Sequence, residues 1–259
     1  MKAFDDSQSD VTVSVVSHGD GASVRTLAID LLADKSVSKV IVTWNTPEAV
    51  QLPQNPRLIF IHNKAARGFG SNHNAAFEQC DTRFFCVLNP DVTLQTDSIG
   101  KLRDFTVLTG AAAAGPLVLS PDGTQEDSWR RFPTFFSLFL KAFGYDTTVI
   151  NSIDISTKLQ PDWVAGVCIF FDSNSFKDVA GFDERFFMYY EDVDICNRLW
   201  DAGYTVRAVP EAHVVHLGRR ASRRNLRHMK WHLYSMTRYL IGNNSKGREL
   251  RHSKTQRRP

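Results

Sequence analysis

In the first half of the chain, segments with the hydrophobic spacing of helices alternate with apolar runs typical of strands. Apolar residues at helical spacing in 22–33, and again in 72–80, predict two helices. Four β-branched or aromatic runs predict buried strands: VTVSVV (11–16), VIVTW (40–44), RLIFI (57–61) and RFFCVL (83–88). This alternation predicts an α/β fold with a mostly parallel, twisted sheet and helices on both faces. Ligands of such sheets bind at the carboxyl ends of the strands, where the loops SHGDG, WNTPE and NPDV lie.

The second half continues the pattern and adds a basic end. AAAAGPLVL (111–119), WVAGVCIFF (163–171), YTVRAV and AHVVH predict further strands. EDVDICNRLWDAGY predicts a helix that begins near Asp192 and stops at Gly203. A basic helix is predicted over 223–241, and the composition from Gly242 onward predicts disorder. One face of that helix is apolar and consists of Leu226, Met229, Leu233, Met236 and Leu240.

Composition narrows the class of protein. The chain has 259 residues, of which 42% are hydrophobic and 23% charged, and this suits one globular α/β domain with an appendage. The four cysteines lack metal-binding spacing, so we expect free thiols in a reducing compartment. The acidic start MKAFDDSQSD is unlike a signal peptide, and no stretch reaches the roughly 18 apolar residues of a membrane span. We therefore expect a cytoplasmic protein that meets membranes only peripherally.

The net charge of +3 conceals a strong asymmetry. Residues 219–259 hold 13 of the 31 Lys and Arg and one of the 28 Asp and Glu, a net of +12. The preceding 218 residues hold the other 18 basic and 27 acidic side chains, a net of −9. Such a tail predicts an anionic partner, which is a membrane surface, a phosphorylated substrate or a nucleic acid.

The tripeptide Asn89-Pro90-Asp91 directly follows the run RFFCVL. At the carboxyl end of a strand, the side chain of Asp91 points into the crevice, where a carboxylate can hold a divalent ion that bridges two phosphates. The same tripeptide is good turn chemistry in any protein. Taken alone, it favours a plain turn over a metal site.

Clustered carboxylates are interleaved with aromatic residues in GFDERFFMYYEDVDICNRL. They are Asp183, Glu184, Glu191, Asp192 and Asp194. Apolar walls and neighbouring carboxylates raise a carboxyl pKa, which suits a general base. The alternative is that Asp192 and Asp194 cap a helix and favour its dipole, and the two interpretations are compatible.

Two weaker signals accompany these motifs. His213 and His216 lie three residues apart in AHVVH, on opposite faces of the strand, so we do not expect them to share a metal. His216 beside Gly218 is the better candidate for a neutral imidazole ligand, although a lone histidine is usually structural. The Gly-rich segment RGFGSNHNAAF (67–77) opens a helix whose N–H groups suit a phosphate or ribose, but it lacks GxGxxG.

In this order and spacing, the motifs resemble those of the family 2 glycosyltransferases with the GT-A fold. The resemblance runs to about Leu240, and its most specific part is GFDE…EDVD…R after an NPD strand end. The matching segments are VSVVSHG, RGFGSNHNAAF, FFCVLNPDVTL, RRFP, WVAGVCIFF, GFDERFFMYYEDVDICNRLWDAGY and VPEAHVVH. SHG, GFG-x-N-x-N, RRFP and WHLYSMTRYL look most like the bacterial L-rhamnosyltransferases of surface-polysaccharide assembly.

The resemblance implies a reaction and the residues that perform it. L-Rhamnose would pass from dTDP-β-L-rhamnose to N-acetylglucosamine on a polyprenyl diphosphate, with inversion and with a metal ion. Asp192, in the pair with Glu191, would be the catalytic base. Asp91 would coordinate Mg²⁺ or Mn²⁺ on the donor diphosphate, and His216 would complete the metal site.

The resemblance also implies a donor pocket. Its residues would be Ser17, His18, Asn45, Gly68, Gly70, Asn74, Asn89, Asp91, Arg130, Arg131 and Gly166. Asn89 replaces the usual first Asp of the metal motif, and Trp44-Asn45 stand where many relatives carry an Asp for the nucleobase. Base identity therefore stays open, and another donor such as UDP-galactose or UDP-N-acetylglucosamine fits the same mechanism.

The resemblance also implies how the chain is divided into domains. Residues 1–218 would form the GT-A domain, with a nucleotide-binding half (1–110) and an acceptor and catalytic half (111–218), followed by the basic helix and tail (219–259). Basic residues near anionic lipid gain about 1 kcal/mol each, so the tail predicts contact with the inner face of the plasma membrane. The alternative is that the last helix packs on the sheet domain with a solvated basic face. FPTFFSLFLKAF is either a second apolar contact or a core helix.

A rival of another class is a non-enzymatic protein that binds anionic lipid or nucleic acid through the +12 tail. This alternative does not explain the acidic cluster or the NPD tripeptide. No nucleic-acid-binding motif is visible, so we expect no nucleic-acid partner.

Overall fold

A computed structural model describes residues 9–126, 128–150, 160–218 and 226–242. Within these ranges the chain forms ten strands and seven helices. In order they are β1 (Val11–Ser17), α1 (Gly21–Ala33), β2 (Val37–Trp44), β3 (Leu58–His62), α2 (Phe69–Phe77), β4 (Phe84–Leu88), β5 (Val92–Leu94), α3 (Ser98–Thr109), β6 (Ala113–Leu119), β7 (Trp129–Arg130), α4 (Phe135–Ala142), β8 (Trp163–Val164), β9 (Cys168–Asp172), α5 (Ser173–Asp178), α6 (Glu191–Asp201), β10 (Val206–His216) and α7 (Leu226–Gly242).

Eight of these strands form one mixed sheet in the order β3-β2-β1-β4-β9-β6-β10-β5. The strands β1 to β4 are parallel to one another, and β10 is parallel to β6. Strand β9 runs antiparallel between β4 and β6, and β5 runs antiparallel to β10. Six of the eight strands therefore share one direction, which confirms the predicted mostly parallel sheet. The short strands β7 and β8 form a separate ribbon.

Alternate side chains of β4 belong to two different cores. Phe84, Cys86 and Leu88 pack in a cluster with residues of α1 and α3. Phe85 and Val87 pack in a second cluster with residues of α2, α5 and α6. Because successive strand residues point to opposite faces, helices cover both sides of the sheet, as the sequence predicts.

The antiparallel course of β9 brings the second half of the chain to the carboxyl end of β4. Cys168, at the start of β9, pairs with Leu88, at the end of β4. One residue further along, the N–H of Asn89 donates to the carbonyl of Val167 at 2.9 Å. The loop 165–167, which contains Gly166, therefore lies beside the NPD loop.

Three predicted boundaries are wrong. Helix α2 begins at Phe69 rather than at 72, because the N–H of Phe69 donates to the carbonyl of Phe187 at 2.9 Å and fixes the entry of the helix. The predicted strand 163–171 is two strands, because β8 pairs with β7 whereas β9 pairs with β4. YTVRAV and AHVVH contribute to one strand, β10, whose register with β6 shifts between Val209 and His213.

Helix α7 packs on the domain, which is one of the two alternatives that the sequence left open for it. It buries Ser235, Tyr239 and Leu240, whereas Leu226 and Leu233 of the predicted apolar face are at least half exposed. Residues 219–225 and 243–259, including the predicted disordered end, lie outside the described residues. The domain boundary at 218 stays a prediction.

Candidate active site

Asp192 lies in the first turn of α6, and two backbone N–H groups hold its carboxylate. Gly166 donates to Oδ2 at 3.0 Å, and Val193 donates to Oδ1 at 2.8 Å. Burial raises the pKa of Asp192, although these hydrogen bonds and the charge of Arg130 oppose that shift. A carboxylate with a raised pKa and a fixed orientation suits a general base.

Glu191 precedes Asp192 and has a different environment. It is only 6% exposed, and its Oε2 has no hydrogen-bond partner in the described part of the chain. Burial, followed by the charge of Asp192, raises the pKa of Glu191 well above its usual value. The buried environment of Glu191 therefore disfavours the charged form of its carboxyl group.

Two consecutive tyrosines turn the chain into α6 through the left-handed region. The φ angles of Tyr189 and Tyr190 are 71° and 68°, a conformation that costs a non-glycine residue about 1–3 kcal/mol. Burial and the charge of Asp192 raise the pKa of Tyr190 to about 12, so its hydroxyl stays neutral. This strained turn directly precedes the acidic pair.

Helix α7 holds the strained turn from the other side. The hydroxyl of Tyr189 and Nδ1 of His228 are 2.9 Å apart, and Ser235 Oγ donates to the carbonyl of Met188 at 2.9 Å. The ring of His232 stands edge-on to Tyr190, with 5.5 Å between centroids. Sequence reasoning missed these α7 residues, because they are polar and lie beside the predicted apolar stripe rather than on it.

A cavity of about 470 Å³ lies in front of the acidic pair. Six residues predicted from the sequence line it, namely Asn89, Arg130, Arg131, Gly166, Glu191 and Asp192. Residues that sequence reasoning did not assign to a site also line it, among them Phe69, Ser137, Leu138, Lys141, Trp163, Tyr190 and His232. The volume is that of a small-molecule site.

Three cations at the cavity are fixed by carboxylates. Arg130 Nη1 lies 3.2 Å from Asp146 Oδ2, and Lys141 Nζ lies 2.8 Å from the same oxygen. Arg131 Nη1 lies 3.4 Å from Asp162 Oδ1. Burial opposes ionisation of Asp146, but hydrogen bonds from Lys141 and a neighbouring threonine outweigh it and hold the pKa of Asp146 well below its usual value. The cavity thus carries oriented positive charge that suits phosphate oxygens.

Asp91 and His216 meet because β10 pairs with β5. His216 is opposite Val92 in that register, and its Nε2 lies 3.4 Å from Asp91 Oδ1. Its Nδ1 lies 2.8 Å from Oε2 of Glu126, a residue that sequence reasoning missed. Burial would lower the pKa of His216, but hydrogen bonds to Asp91 and Glu126 raise it to about 9. In the described residues, no group of three or more His, Cys, Asp and Glu side chains is arranged to hold a metal ion.

An amide network closes the carboxyl ends of β1 and β2. The N–H of Asn45 donates to the carbonyl of Ser17 at 2.9 Å, and its side chain bonds to Arg67 and lies 3.3 Å from Nδ1 of His18. Asn63 donates to Oδ1 of Asn45 at 2.8 Å. Ser17, His18 and Asn45, all predicted to contact the donor, therefore lie together, although none of them lines the 470 Å³ cavity.

Gly68, Gly70 and Asn74 contact the 182–187 loop. A Cβ on Gly68 would lie 2.7 Å from the carbonyl oxygen of Phe187, and one on Gly70 would lie 2.7 Å from Cβ of Phe182. The amide of Asn74 donates to the carbonyl of Phe182 and accepts from its N–H, at 2.8 and 2.9 Å. These contacts give all three residues a structural role, and their predicted donor contacts stay predictions.

The sequence of the chain matches a known protein family. The model of the Glycosyl transferase family group 2 matches residues 87–258, and this chain belongs to that family. The protein is therefore a glycosyltransferase.

Two relatives match over most of the chain. The rhamnosyltransferase WbbL of Escherichia coli (strain K12) is 31% identical in an alignment 245 residues long, which covers 89% of this chain and 92% of that protein. The N-acetylglucosaminyl-diphospho-decaprenol L-rhamnosyltransferase of Mycobacterium tuberculosis (strain ATCC 25618 / H37Rv) is 30% identical in an alignment 213 residues long, which covers 73% of this chain and 69% of that protein.

Solved structures share the GT-A fold. The mannosyltransferase PcManGT from Pyrobaculum calidifontis, in complex with GDP-Man and Mn²⁺, has a TM-score of 0.62 at 12% identity, over 95% of this chain and 68% of that one. GalNAc-T7, crystallised with UDP, GalNAc and Mn²⁺, has a TM-score of 0.62 at 13% identity. That match covers 82% of this chain and 44% of GalNAc-T7. At such identities the likeness shows the fold alone.

None of the helices in the described residues combines the length and the apolar character that crossing a bilayer requires.

Proposed function

We propose that the protein transfers L-rhamnose from dTDP-β-L-rhamnose to N-acetylglucosamine on a polyprenyl diphosphate, with inversion at the anomeric carbon. The names of two relatives support this substrate pair: one is a rhamnosyltransferase and the other acts on N-acetylglucosaminyl-diphospho-decaprenol. The observation that carries the reaction type is the carboxylate of Asp192, which is half-buried, fixed by the N–H of Gly166, and part of the cavity wall.

Asp192 accepts the proton of the attacking acceptor hydroxyl. The new glycosidic bond forms as the bond between the anomeric carbon and the diphosphate oxygen breaks, so no covalent enzyme intermediate is needed. A positioned base of this kind contributes about 10²–10⁴-fold to the rate.

The leaving nucleoside diphosphate gains negative charge as it departs. Arg130 and Arg131 lie in the cavity wall with their side chains held by carboxylates, so they are oriented before the donor binds. Fixed cations aimed at developing charge lower the barrier because they need not reorganise during the reaction.

Asp91 and His216 would hold Mg²⁺ or Mn²⁺ on the donor diphosphate. Their donor set fits such an ion, because a carboxylate oxygen and an imidazole nitrogen face each other at 3.4 Å. Glu126, bonded to the other ring nitrogen, is the outer carboxylate that commonly orients a ligating imidazole. Two protein ligands leave positions for phosphate oxygens and water. When bound, the ion would neutralise charge on the leaving group.

The remaining donor contacts fall in two places. Asn89 and Gly166 line the cavity and would contact the sugar and the diphosphate. Ser17, His18 and Asn45 would contact the nucleoside at the ends of β1 and β2. Gly68, Gly70 and Asn74 would set the position of the loop between these two regions.

An acceptor of this class would bring the protein to the inner face of the plasma membrane, because a polyprenyl chain is anchored in the bilayer. The basic end of the chain, with a net charge of +12 over residues 219–259, supports this location. The protein would associate peripherally and release its product at the same surface.

A panel of nucleotide sugars tests the proposal. Purified protein is incubated with Mg²⁺ or Mn²⁺, each donor, and an acceptor with a short soluble chain; the product anomer is assigned by NMR. We expect transfer from dTDP-β-L-rhamnose with inversion, and loss of transfer in Asp192→Asn but not in Asp30→Asn, an exposed site on α1. Transfer only from a UDP-hexose would replace the donor assignment, and retention of configuration would refute the mechanism.

The non-enzymatic alternative is tested in the same preparation. If the chain were a nucleic-acid or lipid-binding protein only, no donor would give product, and Asp192→Asn would leave binding to that polyanion unchanged.

A further inference from the structure

Helix α4 and the residues just after it expose a row of large aromatic rings. Phe135, Phe136, Phe139, Phe143 and Tyr145 are between 58% and 70% exposed. We call these five residues the phenylalanine face. Contiguous apolar surface of this kind on a folded domain marks a contact with another apolar phase.

The outward direction of these rings is built into the helix. Thr134 and Ser137 form a capping box that fixes the start of α4. Among the side chains of α4 that the structure describes, Leu138 is the apolar one that packs in a buried cluster, which also holds Tyr239 and Leu240 of α7. The helix is therefore anchored along one narrow stripe, and its phenylalanines point away from the core.

Helix α7 extends this surface. Met236 packs in the same cluster as Leu138, and Met229 and Leu233 lie on the adjoining flank of α7, each about half exposed. The next flank of α7 carries the exposed side chains of Arg227 and Lys230. Together these residues form an apolar band bordered by cations. The other basic residues near the end of the chain come after α7 in the sequence.

The phenylalanine face adjoins the cavity. Ser137, Leu138 and Lys141, on the inner side of α4, line the cavity that contains Asp192. A long apolar chain attached to a diphosphate could lie along the outer side of α4 while its diphosphate reaches the cations within. This juxtaposition links the exposed surface to the reaction.

We propose that the phenylalanine face, with the adjoining flank of α7, docks on an anionic phospholipid bilayer. The rings enter the boundary between headgroups and acyl chains, and Arg227 and Lys230 lie at the headgroups. A second copy of the chain fits less well, because a twofold contact would bring the basic flank against itself. The inference rests on the proposed function, whose acceptor is held in such a bilayer.

Vesicle flotation tests the docking surface with the full chain. Wild-type protein should bind vesicles of phosphatidylcholine mixed with phosphatidylglycerol more tightly than vesicles of phosphatidylcholine alone. The double variant Phe136→Ser/Phe139→Ser should lose at least about tenfold in apparent affinity, because two rings no longer leave water. The matched control is Leu108→Ser, which removes a side chain that is 84% exposed on α3.

Charge and activity arms complete the experiment. Arg227→Glu/Lys230→Glu should weaken binding to the anionic vesicles. Transfer to the acceptor with a short soluble chain should be unchanged in Phe136→Ser/Phe139→Ser, and its thermal melting should match wild type.

Each other outcome has a definite meaning. Unchanged vesicle binding in the double phenylalanine variant would overturn the inference. A dimer in light scattering that dissociates in this variant, with vesicle binding intact, would assign the surface to a second copy instead. If wild type transfers no sugar but still binds vesicles through these rings, the docking surface stands and the proposed function fails.

Discussion

The carboxylate of Asp192 accepts a hydrogen bond from the N–H of Gly166 at 3.0 Å, which joins α6 to the loop between β8 and β9. A Cβ on Gly166 would lie 3.5 Å from the same carboxylate, so the loop approaches it closely. The bond fixes the base relative to the carboxyl end of β4, where Asn89 and Asp91 lie. The base and the NPD loop therefore belong to one rigid part of the molecule.

Replacing Asp192 by Asn should lower kcat by about 10²–10⁴-fold, because the amide cannot accept the hydroxyl proton. Binding of the nucleotide sugar, measured by thermal shift, should persist. Because burial raises the pKa of Asp192 above 3.8, wild-type activity should fall as pH drops through a value above 3.8. An acidic limb at or below that value, or a loss of kcat in Asp30→Asn of the same size, would contradict the assignment.

Glu191→Gln should change how stability depends on pH. The folded protein holds the Glu191 proton more tightly than the unfolded chain, which releases it near 4.5. The contribution of Glu191 to wild-type stability is therefore largest below 4.5 and is lost as pH rises towards the raised folded pKa, whereas the amide shows no such loss. The stability of the variant relative to wild type should therefore increase as pH rises above 4.5.

Denaturant melts at several pH values measure this difference. The exposed variant Glu78→Gln is the matched control and should follow wild type. A stability difference between Glu191→Gln and wild type that is constant with pH would show that Glu191 ionises normally.

Asp91→Asn and His216→Ala should each weaken Mn²⁺ binding in the presence of a nucleoside diphosphate. Removing either ligand should raise the Kd for Mn²⁺, measured by electron paramagnetic resonance, by at least about tenfold. Glu126→Gln should have a smaller effect of the same kind, because it acts through the orientation of His216. Equal Mn²⁺ affinity in Asp91→Asn and wild type would rule out this site.

Ser235→Ala should reduce kcat through the strained turn before α6. The serine hydroxyl donates to the carbonyl of Met188, and losing this bond should cost about 1 kcal/mol of stability. Donor binding should be unaffected. Thr237→Ala is the control on the same helix, because that hydroxyl bonds to the carbonyl of Leu233 one turn earlier and not to the turn before α6. If both variants lower kcat equally, α7 does not position the turn.

Periodicity determined much of the fold. The apolar run ending at Leu88 predicts a strand buried on both faces, and it lies at the centre of the sheet with a core on each side. The acidic run predicts a helix that begins near Asp192, and α6 begins at Glu191. Such features follow from residues near one another in the chain, because burial on a strand or helix face repeats with a fixed period.

Tertiary structure decided which residues meet. Glu126 lies in a connection without a recognisable pattern and reaches His216 only because β10 and β5 pair at the sheet edge. His228 and Ser235 reach the 188–190 turn because α7 packs with a face that adjoins its predicted apolar stripe. Met236 and Leu240 of that stripe share the buried cluster, whereas Leu226 and Leu233 stay exposed. Contacts between distant segments depend on strand order, register and helix rotation, and local periodicity encodes none of these.

The sequence by itself determined the α/β class, the family motifs, the acidic pair and the basic end of this protein. The sequence did not determine whether the aromatic segment around Phe139 is core or surface. In the tertiary structure, Leu138 packs in the cluster with α7 and the neighbouring rings are exposed. The physical reason is that the hydrophobicity of a side chain sets how favourable its burial is, whereas the close packing of the whole chain determines which apolar side chains are buried in the core.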